Sequence, residues 1–244
     1  MRLMVVGLVA LKESGKSTFF NVAQSLYPVQ EIMLAGRLKQ ACSVAFGVPL
    51  NHFDDQNFKE KPAIFENPGP DADLLTEERL RVILQIFGYP DEESFQKTKH
   101  TIGNRLPTPR RMAQFVGTEV MRDCIDPDIH IKKAIEKMDQ FKINIVTDIR
   151  FANELGWFKN GEYDFTSVHI LRPDKTPQDL ESAHPSEKNV LEVGKGCDHT
   201  IINEEYSAYK SGVKELIEKI MLDQSEKEFP TYLRKHANCL NKTA

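Results

Sequence analysis

The stretch Glu13-Ser14-Gly15-Lys16-Ser17-Thr18 constrains the fold of this chain more than any other. An apolar run from Leu3 to Leu11 precedes it. Phe19, Phe20, Ala23 and Leu26 follow at helical spacing, and Pro28 ends the pattern. Strand, glycine loop, helix is the order in which backbone N–H groups and a helix N-terminus cradle phosphates. Against the full pattern G-x-x-x-x-G-K-[ST], Ala10 stands in place of the first glycine. The loop forms if Ala10 takes the backbone conformation required there, or if Gly7 relieves the turn. Lys16 would then bridge the β- and γ-phosphates, and the Ser17 hydroxyl would reach magnesium. Without a nucleotide, the same residues would be a glycine turn at the start of an ordinary helix.

Further apolar and β-branched runs place strands near 2–6, 31–34, 143–147, 166–171 and 199–202. The first should be central, because a buried apolar strand feeds the loop. Helices are expected from Lys16, over 35–46, from the N-cap Thr76 to Gly88, from Thr108-Pro109, from Asp126-Pro127 through about Phe141, and over 207–222. Strands alternating with helices predict an α/β fold, a five-stranded parallel sheet with helices on both faces. Residues 48–73 carry five prolines and glycines and read as loop, too long to be idle in a compact domain. Residues 89–107 are polar and irregular, and 173–198 lack a helical stripe. The expected organisation is one domain over 1–244, with an inserted substrate-binding lobe at about 48–108 and a lid at about 173–198.

The formal net charge of −4 gives no global basic field, which argues against a polynucleotide partner. Cys42, Cys124, Cys197 and Cys239 form no CxxC pair and suit a reducing compartment. The N-terminal run lacks a small-residue cleavage site, and no stretch approaches the roughly 18–20 apolar residues that span a bilayer. The reading is a cytosolic enzyme with no membrane partner, and homodimerisation is left open.

In open parallel sheets ligands sit outside the carboxyl ends of the strands. The strand at 143–147 delivers Asp148, which can hold magnesium or its waters, and Arg150, which can grip an acceptor phosphate. Glu154 follows six positions after Asp148. The strand at 166–171 delivers Arg172, suited to stabilising charge on a transferring phosphoryl group. Arg110 and Arg111 lie in the first turn of their helix, where positive charge opposes the dipole and an anion would relieve the conflict. Arg37 and Lys39, near another helix start, pose the same question.

The blocks Leu34-Ala-Gly-Arg-Leu-Lys-Gln-Ala41, Arg110-Arg111-x-x-Gln114-x-x-Gly117-Thr118 and Asp148-x-Arg150-x-x-x-Glu154 appear in this order after the loop. His169 to Pro173, His184 to Glu187 and Asp198 to Asn203 follow. In these blocks the chain resembles the bacteriophage deoxynucleoside monophosphate kinases of the P-loop nucleoside monophosphate kinase superfamily. The resemblance implies transfer of the ATP γ-phosphate to a deoxynucleoside monophosphate with Mg2+, in nucleotide biosynthesis, and in the host cytoplasm if the chain is phage-encoded. It implies that Ser14, Gly15, Lys16, Ser17 and Thr18 serve the donor phosphates, with Ser17 and Asp148 toward the metal. Arg37, Lys39, Arg110, Arg111, Gln114, Gly117 and Thr118 would shape the acceptor site, completed by Asp148, Arg150 and Glu154. Lys16, Asp148, Arg150 and Arg172 would be catalytic, with Arg172, joined by His184, at the lid. His130 stands where relatives commonly have tryptophan, and 48–105 matches poorly, so base selectivity does not carry over. The competing readings are another P-loop small-molecule kinase, such as a dephospho-coenzyme A kinase, and a nucleotide-binding module without phosphotransfer. The second lacks its expected D-x-x-G and N-K-x-D segments.

Overall fold

The computed structural model describes residues 2–173 and 185–225. Part of the expected lid, and His184 with it, lies outside the described residues. In chain order the main elements begin β1 (Leu3–Ala10), α1 (Lys16–Leu26), β2 (Val29–Ile32), α2 (Gly36–Phe46), α3 (Glu77–Phe87), α4 (Glu92–Thr98) and α5 (Pro109–Phe115). They continue α6 (Ile129–Ile135), β3 (Ile143–Ile149), α7 (Ala152–Asn160), β4 (Tyr163–Leu171), α8 (Pro185–Lys195), β5 (His199–Ile202) and α9 (Tyr206–Ser225). The described residues form two compact units: one of those up to Met33 together with those from Lys137 onward, the other Leu34–Glu136.

The first unit is a parallel sheet in the order β2-β3-β1-β4-β5, with β1 central. The alternation of β1 builds both layers. Met4, Val6, Leu8 and Ala10 face Phe19 and Ala23 of α1 and Tyr209, Val213 and Ile217 of α9. Gly7 faces the other way, against Ile149 and Phe165, and Phe165 stacks on Phe158 of α7 at 5.4 Å. On that same side α8 approaches the sheet at Gly194, where a Cβ would lie 2.3 Å from the His169 ring. This is an α/β fold, a five-stranded all-parallel sheet with helices on both faces, consistent with the P-loop kinase-like fold expected from the sequence.

Several expected boundaries move. The strand expected at 2–6 runs through Gly7 to Ala10, because the missing Cβ there admits two neighbouring side chains rather than a turn. The strand expected at 31–34 starts at Val29, since pairing with β3 begins where the Pro28 carbonyl accepts the Ile143 N–H at 3.0 Å. β3 and β4 are longer than 143–147 and 166–171, following the full length of β1. The helix expected from Asp126 begins only at Ile129, because Asp126 turns its carboxylate onto the Asp128 N–H at 2.9 Å. It ends at Ile135 rather than Phe141. The irregular stretch 89–107 hides α4, capped by Asp91 onto Ser94, and the stretch 173–198 hides α8, with Val190 and Val193 buried.

The second unit packs Leu38, Ala41 and Phe46 of α2 against Leu80, Ile83 and Phe87 of α3 and Met112 and Phe115 of α5. α5 continues directly into a π-helical segment, Val116–Arg122. Among the described residues no helix is long and apolar enough to cross a membrane.

Gly7→Ala tests the packing of the central strand. The added Cβ would sit 2.6 Å from Ile149 Cδ1 and 2.8 Å from the Phe165 ring. Overpacking of this kind costs about 1–3 kcal/mol. In urea unfolding the free energy of unfolding should fall by that amount, lowering the midpoint at an unchanged m-value.

Candidate functional site

The chain leaves β1 at Ala10 and enters α1 at Lys16. Ala10 is still strand, in register with Ile170 of β4, so its position asks for no glycine conformation. The left-handed residues are Glu13 (φ 61°) and Gly15 (φ 104°). Glu13 is a non-glycine in that region, a conformation that costs about 1–2 kcal/mol without local support. Lys16 Nζ donates to the carbonyls of Ala10 at 3.0 Å and Leu11 at 2.8 Å, so its ammonium lies over the loop that precedes it. Ser14 is buried, and its Oγ has no hydrogen-bond partner among the described residues. Ser17 and Thr18 open α1, whose first turn has no acidic residue and no side-chain cap.

Asp148 comes from the neighbouring strand. Between Gly7↔Val146 and Val9↔Ile149 the register of β3 gains one residue on β1. This bulge turns Ile149 onto the Gly7 face and leaves Asp148 partly exposed at the strand's carboxyl end. Bulges beside functional sites commonly re-aim a side chain in this way. Arg150 follows, and its N–H donates to Glu154 Oε2 at 2.9 Å, as does the Phe151 N–H at 3.1 Å. Glu154 is itself buried, at the third position of α7, so its carboxylate fixes the turn that presents Arg150. Arg172, just past β4, donates from Nη1 to the Glu13 carbonyl at 2.9 Å.

Two residues absent from the sequence-based site also touch the loop. Asn203 Nδ2 donates to the Ser14 carbonyl and Tyr209 Oη to the Gly15 carbonyl, each at 2.9 Å. Asn203 closes the Asp198 to Asn203 block but carries no signal of a loop contact, and Tyr209 has no local signal, since each reaches the loop from more than 180 residues away. Burial pushes the Tyr209 phenol well above its usual range, so it stays a donor. Nearby, burial alone would raise the Asp198 carboxyl, but hydrogen bonds from Ser167 and the Lys159 ammonium hold it below the ordinary carboxylate range. It thereby locks the start of β5 to β4. Burial pushes the Cys197 thiol up to about 11, which leaves little thiolate for nucleophilic chemistry.

The second unit gathers the other basic residues. Arg110 pairs with Glu60 at 2.7 Å, and its N–H donates to the Lys59 carbonyl. Arg111 lies 3.7 Å from Glu119 and over the Phe115 ring. The charge conflict at the start of α5 is therefore met partly by carboxylates of the chain itself. Gln114 is half-buried one turn on, and Gly117 and Thr118 lie in the π segment. A Cβ on Gly117 would meet Leu38 Cδ2 at 2.7 Å. His130 is buried, with Nε2 3.0 Å from the Gly117 carbonyl and its ring edge-on to Phe87, a core position rather than a stacking platform. Arg37 donates to the Ile86 carbonyl at the end of α3 and pairs with Glu136, and Lys39 pairs with Asp54. These two make contacts within the unit, and Leu38 between them is the residue that a Cβ on Gly117 would meet.

No protein-family profile matches the chain. It is 24% identical over 216 residues to a protein of Acanthamoeba polyphaga mimivirus named "Putative deoxynucleotide monophosphate kinase", covering 82% of this chain and 89% of that one. A solved structure, TT1252 from Thermus thermophilus, aligns over 90% of this chain and 98% of its own, at 12% identity and a TM-score of 0.38.

Removing the Glu154 carboxylate should loosen the β3–α7 turn. Glu154→Ala leaves two backbone N–H groups without their charged acceptor. Such bonds contribute roughly 1.5–3 kcal/mol each, less where water replaces them. A fall in unfolding free energy of about 1–3 kcal/mol is expected, with partial recovery in Glu154→Gln, read by chemical denaturation.

Proposed function

We propose that the chain is a nucleotide kinase, and more narrowly that it moves the γ-phosphate of ATP to a deoxynucleoside 5'-monophosphate to give the diphosphate. The observation that carries this reading is the Ser14–Thr18 loop, which leaves the central strand with Asp148 at the end of the strand beside it. The name of the mimivirus relative points the same way.

In this reading the loop N–H groups and the α1 N-terminus bind the donor phosphates, and Lys16 leaves the Ala10 and Leu11 carbonyls for the β- and γ-phosphates. Ser17 and Asp148 offer the hard oxygen donors that magnesium takes alongside phosphates and waters. Bound there, magnesium would neutralise charge on the β- and γ-phosphates. An oxygen of the acceptor phosphate attacks the γ-phosphorus, the bond to the bridging β–γ oxygen breaks, and ADP leaves. Arg172 is suited to stabilise charge on the phosphoryl group in flight, and Arg150 to orient the acceptor. Arg110 and Arg111 are assigned to the acceptor side, as the sequence resemblance implies, and their partly exposed ion pairs are compatible with that role. Such pairs contribute only about 0–1 kcal/mol, so a phosphate can displace them at little cost.

A coupled assay of ATP consumption across the common ribo- and deoxyribonucleoside monophosphates tests the activity, with turnover expected on at least one deoxynucleotide. Lys16→Ala should lose about 10²-fold or more in turnover while folding normally, since a preorganised charge at the transferring group is worth that much. A variant near the parent's turnover would remove Lys16 from the donor site.

The acceptor assignment has its own signature. Alanine variants of Arg110, Arg111 and Arg150 should each lower kcat/KM for the monophosphate by about 1.5–3 kcal/mol in transition-state terms and leave ATP affinity nearly unchanged. Equal weakening of both substrates in steady-state kinetics would move these residues to the donor side.

A further inference from the structure

Three consecutive carbonyls of the loop are held from outside it. Arg172 donates to that of Glu13, Asn203 to that of Ser14 and Tyr209 to that of Gly15, each at 2.9 Å. The donors come from three different elements: the end of β4, the end of β5 and the first turn of α9. In a trans peptide the C=O and the following N–H point in opposite directions. Holding carbonyls 13 to 15 therefore sets the N–H directions of Ser14, Gly15 and Lys16. The Gly15 carbonyl also accepts the Phe19 N–H at 2.9 Å, so it points along α1 and the Lys16 N–H points back off the helix end. Successive N–H groups fixed in this way form an anion-binding concavity.

The fit around Gly15 is close. A Cβ there would lie 2.5 Å from Asn203 Nδ2 and 3.0 Å from Tyr209 Cε1. Tyr209 is 1% exposed, and the Asn203 N–H is fastened to the Leu171 carbonyl at 2.7 Å, so both braces are themselves anchored.

We infer that Asn203 and Tyr209 are positioning residues of the donor loop, which hold its peptide planes so that the N–H groups of residues 14–16 are oriented for phosphate before it binds. The inference rests on the reading of the loop as the ATP site. Preorganisation of this kind appears as affinity, because the loop has less to order on binding.

Tyr209→Phe keeps the buried ring and removes only the hydroxyl, and Asn203→Ala removes the neighbouring brace. Calorimetry with Mg-ATP and with inorganic tripolyphosphate reads the donor site, and 15N NMR of the nucleotide-free full chain reads the amides of Ser14, Gly15 and Lys16. Each variant should bind both ligands about three- to tenfold more weakly, the loss expected for one hydrogen bond. KM for ATP should rise while that of the acceptor holds, and the three amide resonances should broaden. Parent-like affinity together with unchanged resonances would overturn the inference. So would equal weakening of ATP and acceptor with a lowered melting temperature, the mark of packing alone. If the parent binds neither ATP nor tripolyphosphate, the donor-site reading fails separately. Broadening of the three amides in Tyr209→Phe would still support the bracing in that case, and its absence would overturn it.

Discussion

The first unit depends on the double pairing of β1. This strand is bonded along one edge to β3 and along the other to β4, and it is buried from Met4 to Ala10. Its backbone groups have no access to water and must find partners in the two neighbours. That requirement fixes the register of three strands at once, and with it the point where the chain leaves the sheet. Pairing continues through Ala10 to Ile170, so the loop can begin only beyond that residue. The same registry sets the level at which Asp148 and Arg172 emerge.

The absence of a glycine at position 10 becomes intelligible here. A glycine is needed where φ is positive or where backbone or side chains approach too closely for a Cβ. Ala10 meets neither condition, because it remains strand and its methyl belongs to the layer facing α1 and α9. The unusual φ values fall at Glu13 and Gly15. The carbonyls of both are held, one by Arg172 and one by Tyr209, so the left-handed turn at Glu13 is supported by a contact from outside the loop. Strain of about 1–2 kcal/mol in a short segment persists only where surrounding structure determines the backbone.

Much of this arrangement was legible in the residues. The loop, the central strand, the parallel order and the helix starts at Thr76 and Thr108 have local signals: apolar runs, a glycine-lysine pair, N-cap residues and a proline at the first helical position. The short helices α4 and α6 escaped or shifted because seven residues show at most two turns of periodicity, too few for a stripe to emerge. α8 was hidden in a polar stretch, since its apolar residues are confined to Val190, Leu191 and Val193 near its end and its close approach at Gly194 depends on the absence of a side chain. The second unit starts at Leu34, well before the proline-rich stretch that suggested an inserted lobe, because α2 packs on α3 and α5. Asn203 and Tyr209 were invisible as loop contacts for a different reason. Each is separated from its acceptor by more than 180 residues, and a buried tyrosine in an amphipathic helix reads as core.

The basic residues of the second unit divide by how firmly the fold employs them. Arg37 is largely shielded and holds a main-chain carbonyl at the end of α3, where a helix has unsatisfied acceptors. Withdrawing it would leave both that carbonyl and its own charge poorly solvated, so it is a costly residue to lend to a ligand. Arg110 and Arg111 instead meet side-chain carboxylates near the surface, Glu60 and Glu119, in pairs that water can replace. A phosphate offers the same charge with better geometry, and it would also relieve the unfavourable placement of two cations at a helix N-terminus. The π segment that follows adds a second constraint. Its widened turn carries Gly117, whose carbonyl is held by buried His130 and whose missing side chain admits Leu38. The far end of the helix that bears these arginines is thus packed through a histidine hydrogen bond and a glycine contact at Gly117, beyond Phe115, while the arginines themselves lie in its first turn.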